Sequence, residues 1–253
     1  MELNLEKKVA VVTGAARRRG NGRAIALTLA GEGADVACAD IDIEGAESIA
    51  KEIRSMGRKS TAVKADQSDS EQVKAAVAKI RQELGPIDIL VNNAAVNSVG
   101  LLSKEQQPPW EKAIGIDLSG PFYWVREVFD SMVERKWGRI INISSLAGEL
   151  GGFGQCSYSA SKAGIVSLAK TAALEGARAG ITANAVTLGN IATDLFDGIR
   201  PDMQERLIKR TPMRKLGEPQ DVANIVAFLA SDRAKFITGA NIILDGGFSL
   251  FVY

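Results

Sequence analysis

Val9 to Gly22 reads V-A-V-V-T-G-A-A-R-R-R-G-N-G and runs directly into the helical pattern Arg23–Leu29. The valines are β-branched, and the apolar run is too short for a helix, so Val9–Val12 is expected to form a buried strand. Glycines after it allow a tight turn and close backbone approach. The helix that follows offers free N–H groups, so the turn can cradle an anion such as a pyrophosphate. A phosphate loop of the G-K-[ST] type is excluded, because no such triplet follows the glycines.

The same rhythm continues along the chain. Further strands are expected at Val36–Ala39, Thr61–Val63, Ile87–Val91, Arg139–Ile143, Thr182–Val186 and Asn241–Leu244. Amphipathic stretches lie between them. Val73, Val77, Ile80 and Leu84 form one helical stripe, and Ser68 with Glu71 reads as a capping box at its start. Glu44–Met56 and Ser157–Ala179 are also expected to be helical. Alternating strands and helices imply an α/β fold, a single Rossmann-type doubly wound parallel sheet of about seven strands with helices on both faces. No repeat or linker divides the chain, so residues 1–253 are expected to form one dinucleotide-binding and catalytic domain. Residues 190–215 break the rhythm, being charged and carrying Pro201 and Pro212, and are expected to form a flap beside the site.

Composition removes several chemistries. The formal charge is +1, which leaves no basic footprint for nucleic acid or an anionic membrane. Two cysteines in 253 residues make no disulfide framework and suit a reducing compartment. Met1–Lys8 has no signal-peptide apolar region, and no uncharged run approaches ~18 residues, so a cytoplasmic protein is expected. There is no histidine. The usual general base and commonest metal ligand are therefore missing; no metal is expected, and acid–base work falls to Tyr, Lys, Asp, Glu or Cys.

Asp40 ends the second strand, 18 residues beyond Gly22. A carboxylate there can hold an adenosine ribose through its 2′-hydroxyl and would repel a 2′-phosphate, which favours NAD over NADP. Its structural alternative is to cap the helix beginning near Glu44. Gly14, Gly20, Asn21, Gly22 and Ile41 complete this half of the cofactor site. Arg17, Arg18 and Arg19 are either solvated loop charges or, with Arg19 the candidate, a clamp on the phosphates. This half alone also allows a methyltransferase-type nucleotide domain, which would need no downstream Tyr/Lys pair.

That pair is present. Tyr158 and Lys162, in Y-S-A-S-K, are spaced i, i+4 and meet on one helical face. Phenol titrates near 10, and an adjacent ammonium is expected to lower this, making Tyr158 a base that histidine need not supply. Ser145 follows the strand Arg139–Ile143 at the carboxyl end, where sites of such sheets gather, and its hydroxyl can hold a substrate oxygen. Phe153 and Gln155 are substrate-side candidates, and Val96, Leu146, Leu150, Leu195 and Phe196 would make the pocket largely apolar. Cys156 either lines the site or packs; Cys38 belongs to the core.

The chain resembles the short-chain dehydrogenase/reductase family over nearly its whole length. The matching pieces are the glycine turn Thr13–Gly22, Asp66 after the third strand, N-N-A at Asn92–Ala94, I-S-S at Ile143–Ser145, Y-S-A-S-K at Tyr158–Lys162, N-A-V-x-x-G at Asn184–Gly189, and I-T-G…D-G-G at Ile237–Gly247. The resemblance implies NAD(P)-linked oxidation of alcohols or reduction of ketones. It makes Tyr158 the acid/base, Lys162 the ligand of the nicotinamide ribose, and Ser145 the residue orienting the substrate oxygen. It also places Asp66 and Gln67 near the adenine, Asn93 and Ala94 beside the cofactor, and Ile191 and Thr193 at the nicotinamide carboxamide.

The chain departs from the family pattern at four places. Five residues, not three, separate Gly14 from Gly20; Ala95 replaces the glycine of N-N-A-G; Leu188 replaces the proline before the flap; and Asp117 stands where the family has a relay Asn. A carboxylate at 117 is expected to raise the Lys162 pKa or alter the relay, without abolishing activity. The leading expectation is an NAD-dependent oxidoreductase interconverting a small-to-medium secondary alcohol and its ketone. The alternatives are a 3-oxoacyl-thioester reductase, which NADPH dependence and activity on acetoacetyl thioesters would mark, and a catalytically silent NAD(H) sensor, against which Ser145, Tyr158 and Lys162 argue. The resemblance further implies a homotetramer packed through helices near Asp117–Met132 and Ser157–Ala179, with the tail residues Phe248, Phe251 and Tyr253 at a subunit contact.

Overall fold

Every residue of the first strand, β1 (Val9–Thr13), is buried, and successive side chains serve opposite layers. Ala10 and Val12 join one apolar cluster, Val9 and Val11 the other. This is the signature of a strand covered on both faces. The structure, a computed structural model, describes residues 3–97 and 99–250.

The first half runs α1 (Asn21–Gly31), β2 (Asp35–Asp40), α2 (Ile43–Ser55), β3 (Ser60–Lys64), α3 (Ser70–Glu83) and β4 (Ile89–Asn92). Next come α4 (Gln107–Ile114), a π-helical turn at Gly115–Ser119, α5 (Gly120–Arg135), β5 (Gly138–Ser145), α6 (Leu146–Leu150) and α7 (Cys156–Gly176). The chain then forms β6 (Ile181–Leu188), α8 (Asp194–Asp197), α9 (Pro201–Arg210), α10 (Pro219–Ala230) and β7 (Asn241–Leu244). The described residues form a seven-stranded sheet in the order β3-β2-β1-β4-β5-β6-β7, with every pairing parallel. One cluster packs α1, α2 and α10 on the sheet through Ile25, Leu29, Ile49, Ile53, Val222 and Val226. The other packs α3, α5 and α7 through Val73, Val77, Ile80, Trp124, Val128 and Ala172. Strand order reverses between β1 and β4, so the crevice beyond their carboxyl ends is where a ligand of this fold sits. No helix of the described residues is long and apolar enough to cross a membrane.

The expected elements are present, with instructive shifts. β4 starts at Ile89, not Ile87, because the carboxylate of Asp88 accepts the Val9 N–H at 3.0 Å and pairs with Arg135. The cap of α3 is Asp69, not Ser68. Asp69 accepts from the Glu71 and Gln72 N–H groups, while Ser68 hydrogen-bonds Asp66. A carboxylate is the stronger acceptor at an N-terminus, and Asp69 stands one residue closer to the free N–H groups. The 190–215 flap is not a simple loop, since it contains α8 and α9. Gln204 pins it by donating from Nε2 to the carbonyls of Phe196, Asp197 and Ile199, and a bridge between Ile191 and Gly217 closes its base.

Two glycines of the first turn are required by contact. Gly14 has φ +68°, and a Cβ there would lie 2.7 Å from the Cα of Ala94. A Cβ on Gly22 would lie 2.2 Å from the Gly14 carbonyl oxygen. Gly31, at the other end of α1, meets only the Met56 Cε at 3.7 Å. Gly22→Ala is therefore expected to destabilise the protein by about 1–3 kcal/mol through overpacking. Gly31→Ala should be neutral or stabilise by up to about 1 kcal/mol through helix propensity. Urea midpoints of both variants check this contrast, and equal midpoints would contradict it.

Candidate active site

Lys162 is the best-buried charge of the carboxyl-end crevice, with 2% of its surface exposed. Its Nζ donates to the Ile143 carbonyl at 3.0 Å and lies 5.6 Å from the centre of the Tyr158 ring. The helix that carries both residues is fastened to β5 by side chains. Ser144 Oγ donates to the Lys162 carbonyl at 2.7 Å, and Asn142 Nδ2 donates to the Ile165 carbonyl at 3.0 Å. Asn92 in turn donates to Asn142, which ties β4 into the same strut. Ser145, the last residue of β5, caps α6 by accepting the Ala147 N–H at 3.2 Å.

Asp117 lies in the π-helical turn, wholly buried, under this group. Its Oδ1 accepts the Val96 N–H at 2.8 Å; its Oδ2 has no hydrogen-bond partner among the described residues. Burial raises its pKa to about 6, with the Lys162 charge and the Val96 N–H opposing. For Lys162, burial lowers the pKa and the charge of Asp117 works against this. The expected direction of the Asp117 effect on Lys162 is thus present, and desolvation outweighs it.

The expectation that Lys162 depresses the Tyr158 pKa is not met. Burial pushes that phenol up to about 12, opposed by a hydrogen bond with Ser145 and reinforced by the Asp117 charge. An ammonium that is itself desolvated and hydrogen-bonded to Ile143 gives Tyr158 little relief. In the neutral range Tyr158 is a proton donor, and Ser145 supplies a second hydroxyl beside it.

One cavity of about 1130 Å³ connects this group to the glycine turn. It is lined by Gly14, Arg19, Gly20, Asn21, Gly22, Asp40, Ile41, Asp66, Gln67, Asn93, Ala94, Ile191 and Thr193, together with Ser145, Phe153, Gln155, Tyr158 and Lys162. The sequence candidates therefore converge, apart from Asp117, which sits behind the wall. The volume exceeds that of an ordinary small-molecule pocket and suits a dinucleotide plus a substrate. The turn fits phosphates. Gly20 caps α1 without a side chain, and the first turn holds no acid, so the free N–H groups of the helix start face the cavity. Asn93 and Thr13 brace it: Asn93 Nδ2 donates to the carbonyls of Thr13 and Gly14, and Thr13 Oγ1 accepts from the N–H groups of Asn93 and Ala94.

Several residues differ from their expected placement. Asp40 does not cap α2; Asp42 does, accepting the Gly45 N–H. The Asp40 carboxylate instead accepts from Ala16 and Asp42 N–H groups, fixing the longer turn while still lining the cavity. Arg19 lines the cavity with a largely exposed side chain. Its Nη1 pairs with Asp197 at 2.6 Å, and its carbonyl accepts the Asp194 N–H, so the longer turn reaches the flap through Arg19. Gln67 is nearly buried, donating to the carbonyls of Ala94 and Ile116. Gln155 donates to Asn97, whereas Phe153 is 93% exposed at the rim. Cys38 is buried, and desolvation raises its thiol to about 12; Cys156 does not line the cavity. Phe248 lines the cavity, while Phe251 and Tyr253 lie outside the described residues. Sequence reasoning missed the inner flap wall, Ile199, Leu207 and Arg210, together with Lys112. The stripe Phe196, Ile199, Leu207 was available as a signal, but only the fold shows which way it faces.

Comparison with known proteins agrees with this geometry. A family model described as "Enoyl-(Acyl carrier protein) reductase" matches residues 14–249. The "3-oxoacyl-[acyl-carrier-protein] reductase FabG" of Staphylococcus epidermidis is 40% identical over 244 residues, covering 95% of this chain and 98% of that protein. The "(2S)-[(R)-hydroxy(phenyl)methyl]succinyl-CoA dehydrogenase subunit BbsD" of Thauera aromatica is 40% identical over 249 residues, covering 98% and 99%. Among solved structures, a putative gluconate dehydrogenase from Agrobacterium tumefaciens superposes with a TM-score of 0.95 at 30% identity, covering all of both chains.

The Asp117 carboxyl gives a test with a defined sign. Its folded pKa of about 6 lies above the ordinary 3.8, so the folded protein holds that proton more tightly than the unfolded chain. Stability tied to it is present below the unfolded value and is lost as pH rises toward 6. Asp117→Asn cannot titrate. Relative to the parent, the variant should gain up to about 3 kcal/mol of stability between roughly pH 4 and 7, while keeping turnover within about tenfold. Denaturant titrations at several pH values read the first; no pH-dependent difference would refute the placement. A hundredfold loss of rate would show that the carboxylate is required.

Proposed function

Because the chain belongs to the short-chain dehydrogenase/reductase family, and is an oxidoreductase acting on CH–OH groups with a nicotinamide cofactor, we propose that it reduces 3-oxoacyl thioesters to 3-hydroxyacyl thioesters with NADH. The observation that carries this reading is that relatives named for thioesters on two different carriers, acyl carrier protein and CoA, match the chain from end to end at 40% identity. It takes precedence over the small secondary alcohol expected from the sequence.

The nicotinamide supplies the hydride. The chain's residues bind, orient and move the proton. Glycines 14, 20 and 22 and the start of α1 receive the phosphates, Asp40 holds the adenosine ribose, and Asp66 and Gln67 flank the adenine. Lys162, Ile191 and Thr193 serve the nicotinamide end, with Asn93 and Ala94 holding the turn against it. Ser145 and Tyr158 donate hydrogen bonds to the 3-oxo oxygen, which polarises the carbonyl. As the carbon accepts hydride, the oxygen takes the proton from Tyr158 Oη. A phenol pushed up to about 12 holds that proton at neutral pH, ready to be donated in the reduction step. NADH is preferred because a 2′-phosphate would meet the Asp40 carboxylate.

The homotetramer belongs to the same reading. Phe122 and Val133 on α5 and Leu174 on α7 are exposed apolar side chains on the two helices expected at subunit contacts.

Rates at the NADH absorbance should be measured for acetoacetyl-CoA, a simple methyl ketone, a secondary alcohol and crotonyl-CoA, each with both cofactor forms. The expected outcome is a kcat/KM for acetoacetyl-CoA at least about a hundredfold above the ketone, with NADH better than NADPH. Preference for the ketone and alcohol would restore the sequence expectation. Turnover of crotonyl-CoA would shift the reaction to carbon–carbon double bonds, and better use of NADPH would overturn the role given to Asp40.

A further inference from the structure

Arg210 ends α9, in the flap, and lines the same cavity as the catalytic group. Its guanidinium lies over the ring of Phe248, 4.6 Å from the centroid. It has no carboxylate or other hydrogen-bond acceptor among the described residues. Three of the flap's acids are paired elsewhere, and the fourth, Asp194, lines the same cavity without a salt bridge to Arg210. Asp197 pairs with Arg19, Asp202 with Arg200, and Glu205 with Lys209, while the Asp194 backbone is joined to the Arg19 turn. The surrounding wall, Phe196, Ile199 and Leu207, is apolar. A guanidinium stacked on a ring keeps its N–H edge for a ligand, and it recognises carboxylate or phosphate oxygens in paired fashion. The end of a helix also favours a cation at that position.

Neither half of the reaction just described uses this cation. The cofactor phosphates belong to the glycine turn and the reacting oxygen to Ser145 and Tyr158, on other elements. We propose that Arg210 is a specificity-determining residue that binds an anionic group of the substrate remote from the reacting carbonyl. The group is a carboxylate or phosphate oxygen: either a carboxylate on the acyl chain or a phosphate of the thioester carrier. This rests on the thioester reading, and the two sources are separable.

The test compares the parent enzyme with Arg210→Gln and Arg210→Lys on three thioesters. Acetoacetyl-CoA carries phosphates, acetoacetyl-N-acetylcysteamine is neutral, and 3-oxoadipyl-N-acetylcysteamine carries a carboxylate alone. Arg210→Gln should raise KM about tenfold or more for the probe with the recognised group, with kcat within about twofold. The lysine variant should recover part of the loss, and the NADH dissociation constant should stay within about twofold. A rise with CoA only identifies the carrier phosphate; a rise with the 3-oxoadipyl probe only identifies the acyl carboxylate. KM values unchanged on all probes, or raised equally on the neutral one, overturn the proposal and leave Arg210 a packing residue on Phe248. If the parent enzyme reduces no thioester, the thioester reading falls, and acetoacetate against its neutral ethyl ester judges Arg210 by the same split.

Discussion

Lys162 brings an ammonium to a place from which water is almost wholly excluded, and the surrounding architecture answers that cost. A buried charge is tolerated only when it is paired and hydrogen-bonded. Here the Ile143 carbonyl receives Nζ, and the Asp117 carboxylate supplies the opposing charge. The partners come from the last residues of β5 and from the π-helical turn between α4 and α5. The two partners couple the catalytic helix to the strand and the turn, so the three behave as one unit. The strut formed by Asn92, Asn142 and Ser144 makes that unit rigid by fastening α7 to the sheet.

The same burial determines what Tyr158 can do. An ammonium beside a phenol lowers its pKa when both stand in a medium that lets the field act alone. Here desolvation of the phenol outweighs the Ser145 hydrogen bond, the Asp117 charge adds a little in the same direction, and the proton stays on oxygen. A donor phenol beside the Ser145 hydroxyl is suited to a carbonyl that must become an alcohol. Asp117 thus has two effects of opposite use: it supports the charge on Lys162 and strengthens the hold of Tyr158 on its proton.

Much of this was legible in the sequence because it depends on local periodicity and on residues that do one thing. The apolar runs of β1, β2, β5 and β6 predict the sheet, and the spacing of Tyr158 and Lys162 places both on one helical face. The cavity gathers the residues that the glycine turn, Asp40 and Ser145 pointed to. What was not legible depends on three-dimensional competition. Asp69 displaces Ser68 as a cap because it stands nearer the free N–H groups, and Asp42 relieves Asp40 of capping so that Asp40 can fix the turn. Arg19 meets Asp197 only because the fold brings residues 178 positions apart together. Arg210 looked like one charge among many until α9 turned it over Phe248 at the cavity wall.

The ionisation state of Tyr158 is the point on which the chemistry turns, and it can be read without substrate. The chain has three tyrosines, so the tyrosinate absorbance of the parent protein minus that of Tyr158→Phe reports Tyr158 alone. Titrated from about pH 6 to 11, the difference should show no tyrosinate below about pH 10, the range of an ordinary phenol or above. A one-tyrosine difference appearing near pH 7 would contradict it, making Tyr158 a lysine-stabilised base rather than a buried acid.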